Sequence, residues 1–336
     1  MLTAPRMSYS ELTLPLPESR RLWFARSAQE WQMHYQEINA RDSSKLPCLG
    51  DLFRDINQLV VNHYRLDVQL AISIYLHGFW TLIWEYRQLN AIHRSDTFSP
   101  GPTGQNPNLL LSSRRQELVR LLQHFETATT GWHELSAQES LVLNSLQMHL
   151  HVSLDDLQLF SGKDGEDEAR RVYPTLQQWC DGPDSRQAVW HAGQVLGLAK
   201  LFPPGHLRDF YAVAVHHAAL ALWTWGVVRK ALRKPSAAGQ GYAFLDELGG
   251  ADWAQAFVGL GKGEPVIRGP PGVGAGGVTA TSTTATLEDP RSCMEVAQEI
   301  LSANFGDAKD ALPPMVENLC LLIKQLGNAA WAVGLG

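Results

Sequence analysis

A surplus of positive charge is the first thing missing from this sequence. Its 336 residues contain 28 Lys and Arg against 34 Asp and Glu, which gives a formal net charge of −6. A protein that grips nucleic acid neutralises phosphates with a local excess of cations. The charge balance therefore argues against direct nucleic-acid binding by this chain. Hydrophobic residues make up 45% of the sequence, which excludes disorder along most of its length.

Closely spaced cysteines are also missing. The sequence contains four cysteines, Cys48, Cys180, Cys293 and Cys320, and no two lie near each other. This spacing excludes zinc modules of the CxxC type and a dense disulfide framework. No pair of histidines follows a zinc-finger pattern either. We expect four separate thiols in a reducing compartment and no cofactor in this chain.

Signals for secretion or membrane insertion are weak. The first 11 residues lack the apolar core of a signal peptide. The most apolar stretch, 212–228, is shorter than the roughly 20 residues that span a bilayer. It also carries His216 and His217 in its middle, which hydrocarbon would penalise. We predict that this stretch is a central helix buried on all sides and that the chain does not contact a membrane.

Strand patterns are scarce, with only 278–287 looking β-prone, whereas helix signals recur along the chain. Ser27 and Ser136 each begin a Ser-Ala-Gln-Glu capping box. The two helices that follow are predicted to run to about Gln36 and about Leu159. A long apolar helix is predicted over 67–89.

Later helix starts are predicted from caps and prolines. Ser185 is predicted to cap a helix through Lys200, and Asp289 precedes a first-turn proline. Pro313-Pro314 opens the last helix, which Gly327 is predicted to end. The sequence therefore predicts an all-α protein, a single large multi-helix domain over 1–336. A Gly/Pro/Ser/Thr-rich loop insertion, expected to be mobile, occupies about 262–287.

Two motifs resemble enzyme sites without completing them. The stretch 269–276 resembles the start of a phosphate-binding P-loop, but Ala275 and Gly276 stand where that chemistry needs lysine and a hydroxyl. Asp155 and Asp156, predicted near the end of a helix, could hold magnesium as in terpene-cyclase-like enzymes. No third ligand follows one turn later. An all-helical magnesium-dependent enzyme therefore remains an alternative only.

The histidines do not form a helical zinc pair. His149 and His151 are two residues apart, and His216 and His217 are adjacent, so each pair diverges on a helix. We interpret these side chains and His191 as buried, hydrogen-bonded histidines. No nucleophile elbow is present, and the sequence as a whole indicates that the protein is not an enzyme. The basic cluster after the apolar helix, from Arg229 to Lys234, suits the negative end of a helix dipole.

Four stretches, read as whole phrases, resemble a known family. They are 14–23 with 27–31, 188–194, 210–218 with 222–223, and 312–319 with 326–327. In this order they resemble the fungal-specific transcription factor domain, the all-helical middle homology region of fungal regulators. The closest phrasing is that of the branch with C2H2-type zinc fingers. Seven residues of these phrases are interpreted as family-motif positions with structural or regulatory roles: Trp190, His191, Gly193, Gln194, His217, Trp223 and Asn318.

The resemblance implies a nuclear regulator of RNA polymerase II genes, with targets in a metabolic or biosynthetic set. Family members bind DNA through a separate N-terminal zinc module. We expect this chain to contact DNA only indirectly, or through such a module lying outside it, and we expect zinc only there. The sequence would then be a truncated gene model, a fragment, or a regulator that acts through a partner. A homodimer or a heterodimer with a related regulator is implied, and a co-regulator or scaffold paired with a zinc-bearing relative is the other alternative.

Overall fold

Helices account for most of the ordered secondary structure. The structure is a computed structural model, and it describes residues 11, 13–40, 44–95, 107–232, 241–249, 251–270, 272–273, 279–280, 283–306 and 312–330. These residues form 14 helices and five short strands. The prediction of a predominantly helical fold is confirmed. Contacts divide the chain into two compact units, Met1–Leu135 and Ser136–Gly336.

The first unit is built on two long helices. Its elements are α1 (Arg20–Trp23), α2 (Ala28–Asn39), α3 (Leu49–Arg54), α4 (Asn57–Asn62), α5 (Val68–Ser95) and α6 (Pro107–Thr129). Tyr75 on α5 stacks on Phe125 of α6, with the ring centroids 5.0 Å apart. Phe53 of α3 packs against the same Tyr75 ring at 5.4 Å. Burying large aromatic rings in this way supplies much of the hydrophobic stabilisation of the unit.

The second unit is larger and contains all of the strands. Its elements are α7 (Ala137–His151), α8 (Leu154–Phe160), α9 (Glu166–Asp181), α10 (Pro183–Ala199), α11 (Phe210–Ala231), β1 (Tyr242–Phe244), α12 (Ala251–Leu260), β2 (Glu264–Arg268), β3 (Gly272–Val273), β4 (Thr279–Ala280), β5 (Thr284–Thr286), α13 (Pro290–Ala303) and α14 (Pro314–Ala330). Strands β1, β2 and β5 form a three-stranded sheet in that order. β1 is parallel to β2, and β5 is antiparallel to it.

Helix α11 is the central helix of this unit. It is the one helix in the described part of the chain that is long and apolar enough to cross a membrane, and 78% of its most apolar window is buried inside the structure. The prediction of a buried core helix is thus confirmed. Helices α10, α13 and α14 pack against it. Trp223 donates a hydrogen bond from Nε1 to the Leu326 carbonyl at 2.9 Å, which ties α11 to α14.

Several helix boundaries differ from the sequence prediction. The helix that begins after Ser136 ends at His151, because Ser153 starts a new helix by accepting a hydrogen bond from the Asp156 amide. Ser185 does not cap α10, which begins at Pro183 after Gly182. Its hydroxyl instead donates to the carbonyls of Cys180 and Gly182. This buried serine joins the end of α9 to the start of α10.

The end of the last helix also differs. Helix α14 continues through Gly327 to Ala330. A Cβ added to Gly327 would lie 3.3 Å from the Met294 Cβ of α13, so this glycine permits a close helix–helix approach instead of ending the helix. Helix α5 likewise extends past the predicted limit of Leu89, to Ser95.

The prediction of a loop over about 262–287 is wrong where short strands form, and its mobility stays a prediction. Residues 264–268 form β2, and the side chains of Pro265, Val266 and Ile267 are buried. Residues 284–286 form β5, inside the segment that was predicted to be β-prone. Positions 271, 274–278 and 281–282 lie outside the described residues, as do Ala275 and Gly276 of the P-loop-like stretch.

Candidate functional site

A glycine face on α10 brings this helix into close contact with the segment that follows β1. A Cβ added to Gly193 would lie 2.3 Å from the Leu245 Cβ and 2.6 Å from the Leu245 carbonyl oxygen. A Cβ added to Gly197 would lie 2.4 Å from the Asp246 carbonyl oxygen. Both distances are far shorter than van der Waals contact, so only glycine fits at either position.

Gln194 uses this close approach to satisfy buried carbonyl groups. Its Nε2 donates to the Leu245 carbonyl at 2.7 Å and to the Glu247 carbonyl at 3.0 Å. A buried carbonyl that lacks a hydrogen-bond partner costs free energy. The carbonyls of Leu245 and Glu247 come directly after the end of β1, where the chain has left the sheet. Gln194 therefore holds the segment 245–247 by its backbone, largely independently of that segment's side chains.

A buried carboxylate completes the attachment. The Asp246 side chain has no exposed surface, and it accepts a hydrogen bond from Lys200 Nζ at 2.5 Å. Arg268 of β2 donates to the same carboxylate from its backbone amide at 3.2 Å and from Nε at 3.3 Å. We call this arrangement the Asp246 latch. It comprises Gly193, Gln194 and Gly197 of α10, Lys200 at the C-terminal cap of α10, the segment 245–247, and Arg268.

The latch joins three elements through one ion cluster. Lys200 also donates to the Arg268 carbonyl at 3.2 Å, and the Arg268 guanidinium lies over the Phe244 ring at 4.6 Å. A buried ion pair adds little stability relative to well-packed apolar residues, but removal of one partner costs about 3–5 kcal/mol. The latch therefore specifies where the sheet attaches to α10 more than it adds net stability.

A layer of histidines lies between α7, α10 and α11. His149 of α7 meets His217 of α11 edge to face, with the ring centroids 5.3 Å apart. His151 of α7 stacks on His191 of α10 at 6.2 Å. The prediction that His149 and His151 diverge is confirmed, since they face different helices.

Specific partners orient two of these rings. His191 Nδ1 lies 3.0 Å from Asn144 Oδ1, and His151 Nδ1 lies 3.0 Å from Asp184 Oδ1. Burial, together with the neighbouring His151, lowers the pKa of His191 to about 3. Burial alone lowers the pKa of His216 to about 4. Both rings are therefore neutral in the folded protein at neutral pH.

The seven family-motif residues do not converge on one site. Gly193 and Gln194 belong to the latch, and His191 and His217 belong to the histidine layer. Trp223 packs against Phe160 at 5.6 Å and bonds to α14. Trp190 is half-buried on α10, and Asn318 is exposed on α14. Their regulatory role stays a prediction, whereas their placement indicates contributions to packing for all but Asn318.

Groups that could carry chemistry are poorly placed for it. Asp155 is exposed, and Asp156 lies in the first turn of α8 rather than near the end of a helix. Carboxylates in a first turn favour the helix dipole. Burial raises the pKa of Cys293 to about 12, which keeps this thiol protonated. Within the described residues, no group of three or more His, Cys, Asp or Glu could hold a metal ion.

Sequence reasoning missed the charged members of the latch. Lys200 and Asp246 are 46 residues apart, and Arg268 follows 22 residues later. No short-range sequence pattern connects these three residues. The spacing of Gly193, Gly197 and Lys200 along one face of α10 is the only sequence signal for it, because residues three, four and seven apart share a helix face. For the basic cluster, Arg229 and Lys230 lie in the last turn of α11 as predicted, and Arg233 and Lys234 lie outside the described residues.

Comparisons with known proteins point to transcription factors of fungi. A transcription factor of Zymoseptoria tritici is 25% identical over an alignment of 279 positions that covers 75% of this chain and 28% of that protein. Transcription factor PfmaH of Pestalotiopsis fici is 21% identical over an alignment of 240 positions that covers 66% of this chain and 24% of that protein. Transcription factor 1 of Elsinoe fawcettii is 23% identical over an alignment of 241 positions that covers 68% of this chain and 25% of that protein. The chain thus matches only 24% to 28% of the length of these relatives. No family model and no solved structure matches the chain.

Proposed function

We propose that this chain is the helical regulatory region of a fungal-type transcription factor. The observation that carries the proposal is its similarity to three fungal transcription factors over 66% to 75% of its length. A similarity over 66% or more of the chain is longer than either unit, so it extends into both. The net charge of −6 is consistent with a region that contacts proteins and leaves DNA to another module.

The finer features of the proposal follow from the family resemblance. The protein acts in the nucleus on RNA polymerase II genes, in a metabolic or biosynthetic set, and it reaches DNA through a separate zinc module or through a partner that carries one. Zinc belongs to that module, and the present region is not an enzyme. Its role is to control the activity of the DNA-bound assembly through protein contacts.

A tethered reporter assay tests this role. The chain is fused to an unrelated DNA-binding module and expressed in a fungal host with a reporter gene downstream of that module's site. We expect reporter transcription to rise or fall relative to the module alone, since a regulatory region changes transcription once it is brought to a promoter.

Two matched variants make the assay specific. Asp167→Asn changes a fully exposed carboxylate and should leave the reporter response intact. Gly193→Leu places a large side chain where no space exists and should abolish the response at equal expression. A reporter level equal to that of the DNA-binding module alone, with the folded chain present, would count against the proposal.

A further inference from the structure

An exposed aromatic face lies on α1 and α2 of the first unit. The exposed fractions of its side chains are 86% for Trp23, 69% for Phe24, 43% for Trp31 and 40% for Tyr35. Trp31 and Tyr35 stack on each other one helical turn apart, with the ring centroids separated by 4.9 Å. We call these four residues the aromatic face. Single exposed apolar residues are ordinary on protein surfaces, but a contiguous aromatic group marks an interaction surface.

The aromatic face borders a groove of about 680 Å³. Trp23, Phe24 and Trp31 line it together with Pro17, Leu22 and Leu70. Helix α2 contributes little to the core of its own unit, since Ile38 is the one buried residue among its 12. Its apolar side chains are therefore available for contact with another molecule.

The area of this face matches the requirement of a homodimer. A fully exposed aromatic side chain presents about 150–250 Å², so the exposed fractions given above leave roughly 500 Å² of aromatic surface. A standard interface buries about 800 Å² on each partner, and about 65% of a homodimer interface is apolar. The apolar requirement is therefore about 520 Å² on each copy.

The charges around the face are compensated within the chain. Arg20 forms an ion pair with Asp67 at 2.8 Å, and Arg21 pairs with Glu37 at 3.1 Å. Glu18 and Arg26 are opposite in charge as well, and Glu30 lies 3.7 Å from His34 Nε2. The surface around the face therefore has no large surplus of charge that would attract a strongly acidic or strongly basic partner. A second copy with the same balanced rim meets the face without like-charge repulsion.

We propose that two copies of this chain associate through their aromatic faces. The contact is isologous: the same face on each copy meets its equivalent across a twofold axis. Trp23 and Phe24 are the anchors, because tryptophan and other large aromatic side chains carry most of the binding energy at such interfaces. The proposal does not depend on the proposed role in transcription.

Sedimentation velocity of the purified chain over a range of concentrations tests the proposal. We expect a monomer–dimer equilibrium with a dissociation constant in the micromolar range or below. Trp23→Glu and Phe24→Glu should each raise that constant at least about 30-fold, because each substitution removes an anchor residue from both copies and the loss of one already has an effect of that size. Both side chains are mostly exposed, so the thermal unfolding temperature of each variant should match that of the wild type.

Leu109→Glu is the matched control, because it places the same charge at an equally exposed leucine on α6 of the same unit. It should leave the dissociation constant unchanged. A chain that stays monomeric at tens of micromolar would overturn the proposal and assign the face to a partner of another kind. A dimer whose dissociation constant is the same in wild type, Trp23→Glu and Phe24→Glu would overturn it as well.

Discussion

Gly193 and Gly197 lie one turn apart on α10, and neither has room for a side chain next to the segment 245–247. Gly226 of α11 is a third such position, where an added Cβ would lie 2.2 Å from the Leu287 carbonyl oxygen at the end of β5. Three helical glycines thus hold the small sheet against α10 and α11. At these positions glycine contributes no side-chain packing, but it lets the backbone of the neighbouring segment come into close contact with the helix.

The first prediction concerns Gly193→Ala. Its new methyl group would overlap the Leu245 backbone, so we expect the free energy of unfolding to fall by about 2–3 kcal/mol in urea titrations. Gly259→Ala on α12 is the control, since no atom lies within 4 Å of its added Cβ. Alanine there should raise stability by about 0.5–1 kcal/mol, as in an open helical site. Equal effects of the two substitutions would contradict the close contact at Gly193.

The second prediction concerns the buried carboxylate of the latch. Asp246→Asn removes the charge that faces Lys200 and Arg268, so we expect a loss of about 3 kcal/mol in the free energy of unfolding. Asp167→Asn, at a fully exposed position, should change it by less than about 1 kcal/mol.

Replacing both partners separates ion pairing from packing. Asp246→Leu combined with Lys200→Met should recover part of the loss, because no unpaired charge remains at position 200 and Arg268 keeps Glu247 as a partner at 3.4 Å. An Asp246→Asn variant as stable as the wild type would show that the latch does not hold the sheet.

At the scale of elements, local signals predicted much of the helical framework. Ser27 and Ser136 accept hydrogen bonds from the amides of Glu30 and Glu139, and Asp289 caps α13. In α2 the glutamate bonds to the Arg26 amide instead of closing the box on Ser27. These signals act within three residues, which is why sequence alone reveals them.

Elements that depend on distant partners could not be predicted in this way. Strands β1 and β2 contain three and five residues, too few for an alternating pattern, and their pairing joins positions 22 residues apart, as in Tyr242 and Glu264. The latch could not be predicted from the sequence for the same reason, because its charged side chains meet only after α10 and the sheet are in place. The candidate site was therefore predicted only through Gly193 and Gln194, and through the resemblance rather than through any chemical pattern.

The histidine layer between α7, α10 and α11 yields the third prediction. In the folded protein His191 of this layer and His216, whose ring lies 6.0 Å from that of His217, are neutral, with pKa values of about 3 and about 4. An unfolded histidine takes up a proton near pH 6.5. The unfolded state binds more protons, so stability is fully present above pH 6.5 and is lost as the pH falls below it. At pH 5 the loss is about 2 kcal/mol for each ring, as an upper bound.

Urea titrations at pH 7.5 and pH 5 would measure this loss. His191→Gln keeps a side chain able to reach Asn144 but cannot take up a proton, so its stability should fall less between the two pH values than that of the wild type. His124→Gln, at an exposed histidine on α6, should behave as the wild type does. An unchanged pH dependence in His191→Gln would contradict the assignment of the buried neutral ring.

At the scale of the whole molecule, the chain consists of two helical units. It is similar to transcription factors that are much longer than this chain. The relatives share with it only 24% to 28% of their own length. The negative net charge and the aromatic face of this region suit contacts between proteins. The proposed regulation through protein contacts draws on these features.

Transcript profiling in the organism that encodes the protein tests this account most directly. RNA is sequenced from strains in which the gene is intact, deleted, restored and overexpressed. The account predicts that a defined set of RNA polymerase II transcripts changes on deletion, returns on restoration and changes again on overexpression. Transcript levels that remain the same in all four strains would contradict a role in transcription.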